Sequence, residues 1–316
     1  PKPQTPNPKP RRNIFRLLLQ NIISLSEEIL PINKMSATAS PYTLKVHRTP
    51  LGHLFLIKSQ TISVHEDHIY RQSNSEDPFA KFFLNRNALF PNFDSGYVSD
   101  YQSFFSITPR CIAAHMASSL PEECKVVADL GCGVGGNSIA FALSGRKVVS
   151  VDIDPAKISG LLNNARVAGV SPEMIQPFLG SWEGLPETGL KVDFALCSPP
   201  WGGMDYRRFG PLFNAKRDVP CDFMKLLEVL FEISGGCALI LPRNTDLEDL
   251  ANTFSEIPES LRMFHRTMSV IEYQINSRPS MMLVMFGNTY ASDMENQIEL
   301  VERLLRENRE EGFICL

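Results

Sequence analysis

Several patterns that would assign a function outright are missing from this 316-residue sequence. The seven cysteines (Cys111, Cys124, Cys132, Cys197, Cys221, Cys237 and Cys315) include no Cys-x-x-Cys pair and no histidine partners at zinc spacing. An odd, scattered set in a chain able to build a core indicates a reducing compartment and no structural metal. His65 and His68 flank Glu66-Asp67, but such a pair is more often solvated than metal-bound. No apolar run reaches the length of a membrane span, so no membrane partner is expected. No internal repeat is present. A basic excess is missing too: the net charge is −4, so any polyanion must be held by a local site. That charge is uneven, with +4 over residues 1–34 and −8 over the remainder.

What is present describes a globular chain, with 43% hydrophobic and 21% charged residues. Residues 1–10 hold five prolines and read as a disordered lead-in, within an uncertain N-terminal segment spanning 1–40. Ile14 to Leu30 is amphipathic, and residues 1–34 are expected to be dispensable to the chemistry. Residues 41–76 read as a hairpin around Thr49-Pro50-Leu51-Gly52 followed by a polar linker from residue 60. Residues 77–120 form an aromatic, helical extension ending in a helix to about Ser119, capped by Thr108 with Pro109 at its first position. Residues 121–290 then alternate strand and helix, with Thr245 capping one helix, and close on a two-strand hairpin. That pattern predicts an α/β fold: a Rossmann-like parallel sheet with helices on both faces and an antiparallel hairpin at its edge. Residues 291–316 carry an acidic amphipathic helix over 291–309.

Two stretches carry chemistry. Asp129-Leu130-Gly131-Cys132-Gly133-Val134-Gly135-Gly136-Asn137 lies where the first sheet strand turns into its helix, and Asp152 ends the next strand. Gly131, Gly133 and Gly136 satisfy G-x-G-x-x-G, so a dinucleotide-binding dehydrogenase enters consideration. Asp129 before the glycines would repel a pyrophosphate but attract an ammonium, which favours S-adenosylmethionine. Asp152 would then accept from the ribose hydroxyls. Asp154 reads as the cap of the following helix.

The second stretch is Ser198-Pro199-Pro200-Trp201-Gly202-Gly203, after the apolar run Val192–Cys197. Two prolines donate no N–H, leaving carbonyl acceptors beside an aromatic face. This suits a planar base bearing an exocyclic amine. The same residues in isolation also describe a strand terminator with a core tryptophan.

With both ends in view, the chain resembles the trimethylguanosine synthase family, class I S-adenosylmethionine methyltransferases acting on the 7-methylguanosine RNA cap. The likeness runs from about Lys81 to Asn288, through Phe105–Pro109, Asp129–Asn137, Val151–Pro155, Ser198–Tyr206 and Leu241–Asn244. The resemblance implies that Ser198 and Pro199 hold the guanine amine and Trp201 stacks on the base. It implies that Lys81, Tyr206, Arg243 and Asn244 serve the capped substrate, and that Thr108, Asp129, Gly131, Gly133, Asn137 and Asp152 serve the cofactor. Ser181 stands where the family usually has an acidic adenine contact, and Glu183 could substitute. Capped small RNAs of the snRNA and snoRNA type, a monomer, and a nuclear site of action (nucleolus or Cajal body, also cytoplasm) are implied in the same way. Two other readings stay open at this point: an amino-methyltransferase for adenine or protein glutamine, and a cap-binding adaptor without activity.

Overall fold

Val127 faces one side of the sheet and Ala128 and Leu130 the other, all fully buried. A strand that is apolar on both faces needs cover on both, and helices supply it. The structure is a computed structural model that describes residues 37–41, 43–52, 54–67, 69, 79–202, 210–262 and 267–287. The amphipathic segments expected over 14–30 and 291–309, and Tyr206, lie outside the described residues.

The strands are β1 (Ala37–Ala39), β2 (Thr43–Arg48), β3 (Leu54–Val64), β4 (Val126–Leu130), β5 (Lys147–Asp152), β6 (Ile175–Leu179), β7 (Phe194–Cys197), β8 (Cys237–Pro242), β9 (Thr267–Ile275) and β10 (Arg278–Phe286). They form one sheet in the order β1-β3-β9-β10-β8-β7-β4-β5-β6, with β2 pairing β3. From β8 to β6 the pairs are parallel, and β10 runs antiparallel to both neighbours.

The helices used below are α1 (Ala80–Leu84), α2 (Arg86–Leu89), α3 (Ser103–Ser106), α4 (Arg110–Ser119), α5 (Gly136–Leu143), α6 (Pro155–Val167), α7 (Leu185–Thr188), α8 (Ala215–Asp218), α9 (Phe223–Ile233) and α10 (Leu247–Ser255). Residues of α4, α5 and α6 join the core on one face, and those of α9 and α10 the core on the other. On α9, Leu226, Leu227, Val229 and Leu230 are fully buried. Each such side chain contributes roughly 1.5–3 kcal/mol by leaving water.

Five expectations need correction. The closing hairpin β9–β10 is not the sheet edge, because β3 pairs parallel to β9 from Leu56 opposite Thr267 to Val64 opposite Ile275. Residues 60–64 are therefore strand and not linker. Phe55 and Ile57 bury one face of β3 while Ile62 and Val64 bury the other. The apolar period changes phase across Lys58–Thr61, which makes the middle of the strand look polar. Within the N-terminal segment read as uncertain, Ala37–Ala39 is a strand that pairs antiparallel with β3. Thr108 caps nothing: Pro109 occupies the cap position in extended conformation, and Thr108 is turned inward and buried. Finally, Asp246 caps α10 in place of Thr245, accepting from the amides of Glu248 and Asp249.

The β9–β10 turn is made by Asn276 and Ser277 at φ 49° and 62°. Positive φ at both positions matches the two-residue turns whose twist suits a hairpin.

Candidate active site

β4 pairs with β5 on one side and β7 on the other. The chain runs outward from β4 through β5 to β6 and then returns to β7 beside β4, so the winding reverses here. Doubly wound sheets bind ligands at this reversal, beyond the carboxyl ends of the strands. A cavity of about 560 Å³ opens there. One wall is Gly131 to Val134 with Gly136 and Asn137, another Val151 to Asp154, and a third Cys197 to Trp201. The extension adds Gln102, Ser103 and Phe105 to Thr108.

The glycine turn is shaped by positive φ at one glycine and close approach at another. Gly131 has φ +74°, and a Cβ there would lie 3.6 Å from the Ser198 carbonyl oxygen. A Cβ on Gly136 would stand 2.9 Å from Ile107 Cγ2, so this glycine lets the extension pack against the start of α5. The amides of Gly131 and Cys132 both donate to the Val151 carbonyl, fastening the turn to the end of β5.

Four acidic or amide side chains lie at this end, three on the cavity wall and one behind it. Asp152 Oδ2 accepts from the Gly133 amide at 2.9 Å and Oδ1 from the Asp154 amide at 3.0 Å, which orients the carboxylate. Asp154 caps α6 by accepting from Ala156. Asn137 is buried, and its Oδ1 has no hydrogen-bond partner among the described residues. Asp129 lies behind the turn, fully buried and outside the cavity wall. Its Oδ2 accepts from Ser138 Oγ at 2.6 Å, and Ser150 Oγ donates on to Ser138 Oγ at 2.8 Å. Its Oδ1 is buried without a partner among the described residues. Burial pushes this carboxyl up to about 6, against the Ser138 hydrogen bond, and the Asp152 charge adds to the rise.

At the other end, Ser198 is half-buried, Pro199 is buried and Trp201 is half-buried. Trp201 Nε1 donates to the Ile240 carbonyl on β8 at 3.0 Å, and its ring packs against both cores. That bond fixes the plane of the indole. Cys132, Cys197 and Cys221 also line the cavity, and burial raises each thiol, so none is poised as a nucleophile.

The other expected residues sit around this centre. Ser181 is exposed and accepts from the Glu183 amide at 3.2 Å, while its neighbours Gly180 and Trp182 form the wall. Trp182, an aromatic just after β6, was readable in the sequence as a candidate wall residue. Arg243 is exposed at the end of β8. Asn244 Nδ2 donates to the Pro211 carbonyl at 3.2 Å, and its Oδ1 is buried without a partner among the described residues. Lys81 is exposed on α1, outside the wall, with Nζ 4.7 Å from the Phe82 ring centre. Lys157, which sequence reasoning passed over, lines the cavity and donates to Asp100 and Ser103.

Comparison with known proteins bears on the family. A profile described as RNA cap guanine-N2 methyltransferase matches residues 124–289, just over half of the chain. Trimethylguanosine synthase of Schizosaccharomyces pombe is 34% identical over 181 residues, covering 54% of this chain and 73% of that protein. Trimethylguanosine synthase of Saccharomyces cerevisiae is 31% identical over 187 residues, covering 56% and 58%. Among solved structures, a SAM-dependent methyltransferase from Agrobacterium tumefaciens matches with TM-score 0.43 and 16% identity over 58% of this chain and 63% of that one. An rRNA methylase from Streptococcus thermophilus matches with TM-score 0.40 and 13% identity over 56% and 94%. The extent of the profile match, together with the 34% identity over most of the fission-yeast protein, places this chain in the RNA cap guanine-N2 methyltransferase family.

Proposed function

We propose that this chain transfers methyl groups from S-adenosylmethionine to N2 of the guanine in a 7-methylguanosine RNA cap, giving 2,2,7-trimethylguanosine. The observation that carries the reading is the shared cavity, whose lining brings together the glycine turn and Ser198–Trp201 from the ends of adjacent strands. The residues fit the methyl donor. Asp129 Oδ1 and Asn137 Oδ1 are buried acceptors without protein partners among the described residues, suited to an ammonium or an amine. Asp152 has each oxygen held by one amide and keeps acceptor capacity for a diol. S-adenosylmethionine supplies an electrophilic methyl on a sulfonium.

The chain's own residues do the rest by positioning. The guanine amine is a poor nucleophile because its lone pair is delocalised into the ring. Acceptors at Ser198 and Pro199 rotate it so that the lone pair faces the methyl, and the cavity walls limit water. Ser198 orients and does not attack. The amine proton leaves late, to solvent. Trp201, held by Ile240, stacks on a purine made cationic by its 7-methyl group, an attraction of about 2 kcal/mol or more when desolvated. Lys81, Tyr206 and Arg243 are assigned to the cap phosphates and Asn244 to the capped substrate, with Thr108 and the Gly180–Trp182 segment on the donor side.

The proposed substrates are capped small RNAs of the snRNA and snoRNA type. The proposed site of action is the nucleus, and the proposed state is a monomer. Family membership favours neither an adenine or glutamine acceptor nor a silent adaptor. The deciding measurement is radiolabelled methyl transfer to 7-methylguanosine caps beside unmethylated caps. Label is expected only on the former, and equal labelling of both would overturn the assignment.

A further inference from the structure

The cavity wall formed by Phe105 continues outward into aromatic surface that the reaction above leaves unused. Tyr101 meets Phe105 edge-on at 4.9 Å and 77°, and stacks on Phe79 at 4.9 Å and 28°. Phe79 in turn packs against Phe83 at 6.3 Å. Tyr101 is 60% exposed and Phe83 43% exposed, which is unusual for rings belonging to one cluster. Cations are interleaved with them. Lys81 Nζ lies 4.7 Å from the Phe82 ring, and Phe82 meets Phe105 edge-on at 4.5 Å. The Arg86 guanidinium stands 4.5 Å over Phe83 and is forked onto Asp94.

We propose that the Tyr101–Phe83 shelf beside Lys81 binds the first transcribed nucleotide of the capped RNA by stacking. The proposal rests on the cap assignment above and goes beyond it, to the RNA that carries the cap. The argument is one of continuity and chemistry. A cap joins its RNA through a triphosphate, so with the guanine on Trp201 and a phosphate at Lys81, the next nucleoside emerges at this rim. Lys81 and Tyr101 belong to the same ring cluster, each one ring contact or less from Phe105. Exposed π faces alternating with cations are how proteins hold single-stranded nucleic acid irrespective of sequence. Phe79 behind Tyr101 fixes the ring, so little order is lost when a base lands on it. Among the described residues the shelf is built of stacking faces and cations, so stacking without readout of a base edge is the mode proposed.

The test compares two ligands on the full chain by fluorescence titration: 7-methylguanosine diphosphate, and an oligonucleotide capped with 7-methylguanosine. Tyr101→Ala is expected to weaken the oligonucleotide about tenfold or more while changing the diphosphate less than about twofold, and Tyr101→Phe restores wild-type affinity. Phe83→Ala follows the same pattern with a smaller loss. An unchanged oligonucleotide affinity in Tyr101→Ala overturns the proposal. So does equal loss on both ligands, which would make Tyr101 a prop of the cap pocket. Wild-type protein that binds no 7-methylguanosine diphosphate would remove the cap assignment instead, and the shelf with it. A protein partner captured through Tyr101, with oligonucleotide binding intact, counts against the RNA shelf.

Discussion

The side chain of Asn164 is paired with both backbone groups of Val98, accepting from its amide at 2.8 Å and donating to its carbonyl at 2.9 Å. The same amide nitrogen donates to the Val134 carbonyl at 3.0 Å. Asn164 is fully buried on α6. One residue thus ties the extension to the glycine turn, and the extension is what brings Phe105 to Thr108 over the cavity. Asn164→Ala would leave three backbone groups without this partner. Its unfolding free energy, from urea denaturation, is expected to fall by about 3 kcal/mol, with weaker methyl-donor binding at temperatures where it is still folded.

Trp201 separates stacking from anchoring. Trp201→Ala is expected to abolish methyl transfer to capped RNA while methyl-donor binding, measured by calorimetry, stays close to wild type. Trp201→Phe keeps a smaller face but loses the bond to Ile240. It should retain activity with a raised KM, and wild-type-like turnover by the alanine variant would sink the stacking role.

If Asp129 holds the donor ammonium as proposed, donor binding is expected to depend on pH. Its carboxyl is raised to about 6 chiefly by burial, so the charged form that attracts an ammonium is lost as pH falls through that value. Affinity for the donor should therefore drop from pH 7 to pH 5. For stability the sign is opposite. The folded state holds this proton more tightly than the unfolded chain, so between about pH 6 and pH 4 this group alone adds stability as pH falls. Ser138→Ala removes the hydrogen bond that counteracts the rise and should move the binding midpoint upward. An unmoved midpoint in a calorimetric pH series would argue against Asp129 as the titrating group.

The N-terminal hairpin is held by charge as well as by the sheet. Arg110 at the start of α4 donates to both oxygens of Glu66, at 3.2 and 3.4 Å, and the Glu66 side chain is only 1% exposed. Asn276 reinforces the join by accepting from the Glu66 amide and donating to its carbonyl. Arg110→Met removes this cation from beside a buried carboxylate. Because the arginine is itself about a third exposed, the loss should be nearer 2 kcal/mol than the 3–5 kcal/mol of a fully buried pair. Thermal melts of Arg110→Met and Glu66→Gln would check this, and the double variant should recover part of the loss.

Much of the fold was legible from local sequence. The strands from β4 to β8, helices α5, α6 and α9, and the β9–β10 hairpin follow from apolar period, caps and turn residues. Those signals act between near neighbours. So does the glycine turn, whose positive φ values at Gly131, Gly133 and Gly135 need residues without a Cβ. The Ser198–Gly203 stretch was recognisable for the same reason, since its prolines determine local backbone and donors by themselves.

What needed tertiary structure was every property that depends on distant partners. β3 looked like linker beyond residue 60 because its apolar phase changes, and only its place beside β9, more than 200 residues away, makes that stretch a strand. Thr108 had the chemistry of a cap but is buried against the glycine turn, and Ser181 had the position of an adenine contact while Trp182 holds the wall. Asn164 looked like any helical asparagine until Val98 and Val134 were brought to it. The sequence by itself determined which elements form and which chemistry their ends carry, because dihedral preference and side-chain type are local. Only the packing decided how deep Asp129 lies, how Trp201 is held and which rings face solvent, because burial and hydrogen bonding are settled by what arrives from elsewhere in the chain.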